Sequence, residues 1–125
     1  GDAGRLMQVL FDLLTNAYQA IMGADRPGVI TVKVGCVVED GRDWVKVDVV
    51  DDGPGVPDVH LSRIFEPFFT TRRNGSGYGL YLAAEILRDL GGRLLASNNA
   101  GGGACFSIML PLASAADAAS GGADD

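Results

Sequence analysis

The chain has 125 residues, 47% of them apolar and 21% charged, with a net charge of −6. That is the size of one domain with a single core, and the acidic balance argues against a nucleic-acid surface, which needs clustered Lys and Arg. No apolar run is long enough to cross a bilayer, because Gln8, Asp12 and Asn16 interrupt the best candidate. No signal-peptide pattern is visible. Cys36 and Cys105 both fall in strand-like runs, where a buried thiol acting as a small hydrophobe is expected rather than a disulfide of secreted type.

Residues 4–22 place Leu6, Val9, Leu10, Leu13, Leu14, Ala17 and Ile21 at helical spacing, which predicts a helix with one broad buried face. Asp2 is the expected N-cap, and Gly23 and Pro27 stop the helix. Residues 29–38 alternate, with Ile30, Val32, Val34, Cys36 and Val38 on one face, as in a half-buried strand. Asp40-Gly41 turns into a second strand over 44–50, on which Val45, Val47 and Val49 face together, so the pair reads as a hairpin. Residues 51–57 are a loop by composition, and 58–64 read as a short helix. A polar, glycine-bearing stretch over 70–77 leads into a helix over 78–90, closed by Gly91-Gly92. Two more strands, 93–97 and 105–110, flank a turn over 98–103. Residues 113–125 are only Ala, Ser, Gly and Asp, too poor in apolar bulk to fold, and are expected to be disordered. The order helix, hairpin, loop, helix, hairpin predicts an α/β two-layer sandwich, with helices on one face of a largely antiparallel sheet.

Three segments carry candidate chemistry. On the first helix, Gln8, Asp12 and Asn16 stand at i, i+4 and i+8, a polar line on an otherwise apolar helix. By spacing alone the favoured reading is the solvated edge of an amphipathic helix. After the second strand comes Asp51-Asp52-Gly53-Pro54-Gly55, a D-x-G-x-G pattern that by composition is also an ordinary turn. Before the second long helix comes Gly75-Ser76-Gly77-Tyr78-Gly79-Leu80. Glycines there let the chain approach an anion while the free N–H groups of the helix N-terminus point at it. It is not a Walker loop, since no Gly-Lys-Ser/Thr follows, nor a Rossmann fingerprint, since no βαβ unit adjoins it.

In this order, and with Ile64-Phe65-Glu66-Pro67-Phe68-Phe69 between the last two, these segments resemble the N, G1, F and G2 boxes of the histidine-kinase ATP-binding domain, over about residues 2–112. That domain shares a superfamily with gyrase-type ATPases, stress chaperones and mismatch-repair ATPases, and its fold is the Bergerat-type sandwich. The resemblance implies ATP and Mg²⁺ as ligands, with Asn16 as the metal-binding asparagine. A neutral oxygen donor suits a hard cation that keeps most of its waters. It implies that Asp51 accepts a hydrogen bond from the adenine amino group, with Gly53 and Gly55 giving the base room. Asp52 is expected to face solvent. Arg72 or Arg73, in a short lid over 70–74, would pair with the γ-phosphate. Gly75, Ser76, Gly77, Tyr78, Gly79 and Leu80 would line the phosphates. The catalytic set implied is Asn16, Asp12 and Arg72.

The chain departs from the family at several positions. At Asp12 kinases commonly carry Asn, and the hydrolysing relatives carry a water-activating Glu. Gln19 stands where many members have a phosphate-contacting Lys, and Ala104 where a Thr usually supports the adenine-site Asp. His60 is the chain's one histidine and reads as a surface residue rather than a phosphoryl acceptor. Phe68 and Phe69 pack under the lid or meet a partner.

The expectation is therefore the catalytic module of a two-component sensor kinase, cytoplasmic, from a parent that could be membrane-anchored. The strand that usually precedes Asp2 in the family is expected to be missing, and the partners are a histidine-bearing dimerisation domain and a response regulator. An ATP-hydrolysing conformational switch and a non-catalytic nucleotide-sensing module are the alternatives.

Overall fold

The computed structural model describes residues 1–24, 27–67, 69 and 79–112. The lid over 70–74 with Arg72 and Arg73, the glycine loop from Gly75 to Tyr78, Phe68 and the tail over 113–125 lie outside the described residues.

Helix α1 (Asp2–Gly23) leads into strands β1 (Ile30–Glu39) and β2 (Arg42–Asp51), then the short helix α2 (Asp58–Leu61), helix α3 (Gly79–Asp89), and strands β3 (Arg93–Asn98) and β4 (Ala104–Pro111). The sheet order is β1-β2-β4-β3, and every pairing is antiparallel. Both long helices pack on one side, as the sequence predicts for a two-layer α/β sandwich.

Local chemistry explains the connections. Asp40 and Gly41 both have positive φ, 54° and 75°, the geometry of a two-residue hairpin turn whose twist matches the strands it joins. Helix α3 ends at Gly91 with φ 82°; the Gly91 N–H donates to the Arg88 carbonyl and the Gly92 N–H to the Leu87 carbonyl. This closes the orphan carbonyls of the last turn. At the other end of the chain Asp2 is not the cap: Gly1 holds that place with no side-chain cap bond, and Asp2 lies in the first turn, where its charge still meets the positive helix end.

Val9, Leu13, Ala17, Val49, Ala83, Leu87, Leu94, Phe106 and Ile108 form one cluster between helices and sheet. Burial falls off sharply across the sheet. Along the row Leu94–Ile108–Val47–Val34, Leu94 and Ile108 are buried, Val47 is half-buried, and Val34 is 72% exposed. Val32 and Val38 on β1 are exposed too, as is Cys36, so the strand expected to be half-buried is covered mainly at Ile30. The reason is position: β1 is the sheet edge, and α1 and α3 lie over the three other strands. Along α1, Met7, Phe11, Leu14, Tyr18 and Met22 are likewise exposed, so Leu14 leaves the buried face expected of it. Among the described residues no helix is long and apolar enough to cross a membrane.

Candidate functional site

The polar line on α1 is not a solvated edge. Asn16 is buried between core residues Leu13 and Ala17, and Asp12 is half-buried. Only Gln8 is exposed; its Nε2 donates to Asp12 Oδ1 at 2.8 Å. The other oxygen, Asp12 Oδ2, is buried and has no hydrogen-bond partner among the described residues. Desolvation raises the Asp12 pKa above the ordinary aspartate value, and the Gln8 hydrogen bond partly opposes the rise. Asp12 also faces the start of α3: a β-carbon on Gly79 would sit 4.0 Å from Asp12 Cγ. Helix α1 and the helix that follows the glycine loop therefore meet at this carboxyl. Leu80, the next residue of α3, packs against the core.

Asp51 ends β2 and is 2% exposed. Its Oδ1 accepts two backbone N–H groups, Gly53 at 2.9 Å and Ala104 at 3.3 Å. Its Oδ2 is buried and has no partner among the described residues. A buried acceptor left open costs about 1–3 kcal/mol, so this oxygen is one a ligand donor can satisfy. Gly53 lies against α1, where a β-carbon would come 3.2 Å from the Ala20 carbonyl oxygen. Gly55 has φ 80°, and its β-carbon would meet Asn98 Oδ1 at 2.8 Å. Both positions of the D-x-G-x-G pattern thus exclude a side chain, for crowding at the first and for crowding and backbone conformation at the second.

The expectations for Asp52 and Cys36 change. Asp52 is not a free surface acid: its Oδ1 accepts the Val29 N–H at 2.9 Å, tying the loop after β2 to the chain entering β1. At Ala104 there is no hydroxyl, and the contact with Asp51 is made by the backbone N–H, which reaches Oδ1 and leaves Oδ2 without a partner among the described residues. Cys36 is exposed and Cys105 half-buried, and both are free thiols, so the small-hydrophobe reading fails for Cys36.

In the F segment Ile64 is buried, and Phe65 packs edge-on to Phe106 with centroids 6.3 Å apart. Phe69 lies between His60 (5.3 Å, tilted) and the Arg63 guanidinium (4.9 Å above the ring). The packing reading therefore holds for Phe65 and Phe69. His60 is a half-buried stacking partner rather than a plain surface residue. Asp12, Asn16, Asp51, Gly53, Gly55, Gly79 and Leu80 are the expected site residues that the described structure contains.

Sequence reasoning missed Asn98 and Asn99. Asn98 exchanges two hydrogen bonds with the Val56 peptide, and the Asn99 side chain reaches the carbonyls of Asp51 and Ala104. Nothing in the pattern singles them out, since an Asn-Asn pair before glycines reads as a turn. Among the described residues no group of three or more His, Cys, Asp or Glu could hold a metal.

A model of the family described as histidine kinase-, DNA gyrase B- and HSP90-like ATPases matches residues 1–114. The chain is 43% identical over 122 residues to the two-component sensor PprA of Pseudomonas aeruginosa, covering 94% of this chain and 13% of that protein. It is 40% identical over 111 residues to the sensor histidine kinase ZraS of Salmonella typhi, covering 89% of this chain and 23% of that protein. Among solved structures it is similar to full-length ShkA in complex with AMPPNP, at TM-score 0.69 and 32% identity, over 90% of this chain and 22% of that one. The chain thus spans under a quarter of the length of each of these.

Proposed function

We propose, from the premise that this chain belongs to the histidine kinase-, DNA gyrase B- and HSP90-like ATPase family, that it is the ATP-binding catalytic module of a two-component sensor histidine kinase. The observation that carries the reading is Asp51: a buried carboxylate with one oxygen held by two backbone N–H groups and the other open. An exocyclic amino group satisfies that oxygen, and the guanine carbonyl at the same position would oppose it, so the site selects adenine. The AMPPNP complex of the similar ShkA supports a nucleotide in this fold.

In this reading Gly53 and Gly55 let the base lie against the backbone, and Gly79 and Leu80 begin the helix whose N-terminus faces the phosphates. Gly75, Ser76, Gly77 and Tyr78 complete that wall, and Arg72 and Arg73 contact the γ-phosphate. Asn16 would hold Mg²⁺, which supplies charge neutralisation on the triphosphate. A buried amide, with no group of three or more His, Cys, Asp or Glu among the described residues that could hold a metal, fits an ion bound mostly by phosphate and water. The terminal phosphoryl leaves ATP by cleavage of its bond to the β–γ bridging oxygen and is taken by a histidine nitrogen on a separate dimerisation domain, leaving ADP. The protein's contribution is positioning and charge stabilisation. A response regulator lies downstream, and this segment works in the cytoplasm.

A second reading rests on Asp12, whose open buried oxygen stands at the start of α3. There it would take a proton from water, and the module would hydrolyse ATP by itself.

The deciding experiment heats the domain with and without Mg-ATP, beside Asp51→Asn. Ligand at a hundred times its dissociation constant stabilises a fold by about 2.7 kcal/mol. A shift in wild type that disappears in the variant is the expected result, and no shift in wild type overturns the proposal. Phosphate release without an added acceptor would favour the hydrolytic reading.

A further inference from the structure

Residues 52–57 belong to no helix or strand, yet they carry the geometry of the proposed base site. The turn between β3 and β4 holds them at both ends. At the exit, Asn98 Nδ2 donates to the Val56 carbonyl at 2.6 Å, and the Val56 N–H donates to Asn98 Oδ1 at 2.8 Å. One carboxamide thus satisfies both polar groups of one residue, with its donor and acceptor on neighbouring atoms, which a carboxylate, having no donor, cannot do. The same Nδ2 lies 3.5 Å from Asp58 Oδ1, at the start of α2. Gly55 admits this approach only because it lacks a β-carbon. At the entrance, Asn99 Nδ2 donates to the Asp51 carbonyl at 3.5 Å and to the Ala104 carbonyl at 3.4 Å.

We propose that Asn98 is a positioning residue for adenine recognition: its clamp on Val56 fixes the loop that follows Asp51, and with it the direction in which Asp51 Oδ2 meets the base. The inference rests on the adenine reading above and adds a residue outside every glycine motif. Asn98 is exposed, so its loss leaves the Val56 peptide to water rather than orphaned in the core, and the fold survives. The site, not the core, feels the change.

The test titrates ATP and GTP into wild type, Asn98→Ala, Asn98→Asp and a control, Arg5→Ala, which breaks the surface ion pair with Asp89 on the far end of α3. Asn98→Asp keeps the acceptor for the Val56 N–H but sets an oxygen against the Val56 carbonyl and the Asp58 carboxylate. Both Asn98 variants are expected to bind ATP about tenfold more weakly, a change of about 1.4 kcal/mol, and to narrow the ATP-over-GTP ratio. Their unliganded melting temperatures should fall no further than that of Arg5→Ala. Unchanged ATP affinity overturns the inference, and so does an equal loss for ATP and GTP, which would mark general loosening. A wild type indifferent to the base overturns the adenine reading itself. The two failures are separable, because one appears in the wild type and the other only in the variants.

Discussion

Asp51 and Asp12 are two carboxylates, each with one buried oxygen that has no partner among the described residues, in opposite circumstances. Asp51 has one oxygen tied by two N–H groups and keeps its rotamer without help from a ligand. In Asp51→Asn the oxygen can retain those bonds while the amide nitrogen turns a donor toward the base's own donor. Calorimetric titration should show ATP binding weakened by about 1–3 kcal/mol, with the fold intact. Asp12 has a single amide donor and pays for its burial in protonation energy. Its folded-state pKa is raised, chiefly by desolvation, so the native state holds the proton more tightly than the unfolded chain does. That contribution to stability is complete below the ordinary aspartate pKa of about 3.9 and is lost as pH rises through the raised value. Asp12→Asn carries no such loss. It should melt higher than wild type at pH 7, with the difference vanishing as pH falls below the ordinary value. A variant that melts lower at neutral pH would show that the Asp12 charge is stabilised by the site.

At the scale of elements, the proposed base site depends on β2 and β4 being neighbours. The pairing brings Ala104 beside the end of β2, and the Gly103 backbone passes so close that a β-carbon there would overlap the Asp51 carbonyl. Gly103 also has φ 89°. Gly103→Ala therefore combines a backbone conformation costing roughly 1–2 kcal/mol with a clash that β4 relieves only by moving off Asp51. Its melting temperature should fall by on the order of 10 °C, and ATP binding should go with it. Gly101→Ala, two residues away in open space, is the matched control and should change little. The helices meet the site in the same indirect way. Leu13 and Leu87 are fully buried between α1, α3 and the sheet. Leu87→Ala should cost about 2–5 kcal/mol in denaturant melts, yet leave the ATP affinity of the folded fraction close to wild type, because Leu87 lies two turns along α3 from Gly79.

For the whole molecule, ligand binding and acceptor transfer are separate properties. The Asp51 carboxylate lies within the described residues, whereas in the proposed reading the phosphoryl acceptor sits on a separate domain and is not His60. That imidazole packs at a tilt on Phe69, with ring centroids 5.3 Å apart. His60→Gln should therefore leave transfer to an added dimerisation domain within about twofold of wild type, as radiolabel from γ-labelled ATP would report. Loss of all label from the acceptor would mean that His60 takes part in the chemistry. The exposed apolar residues of β1 and α1 also belong to this scale. They are the part of the sandwich where two helices do not suffice to cover four strands.

Much of this protein was legible without coordinates, because its local signals are strong and mutually consistent. Helical spacing marked α1, alternation marked β1 and β2, Asp40-Gly41 marked their turn, and the glycine-flanked Asp51 marked the candidate site. Each of these depends on neighbours within a few residues. What the sequence left open depends on partners far along the chain. Alternation in β1 is the same whether a helix lies over it or water does, and only the sheet order put that strand at the edge. Asp52 looked solvent-facing until Val29 came within reach, and nothing in the sequence showed that the Ala104 backbone N–H would meet Asp51. Asn98 carried no signal at all, since a carboxamide becomes a clamp only when the chain brings a peptide 42 residues away against it. Periodicity and turn chemistry are properties of the chain itself. Burial and long-range hydrogen bonds are properties of which segments pack together, and the tertiary structure alone decided those.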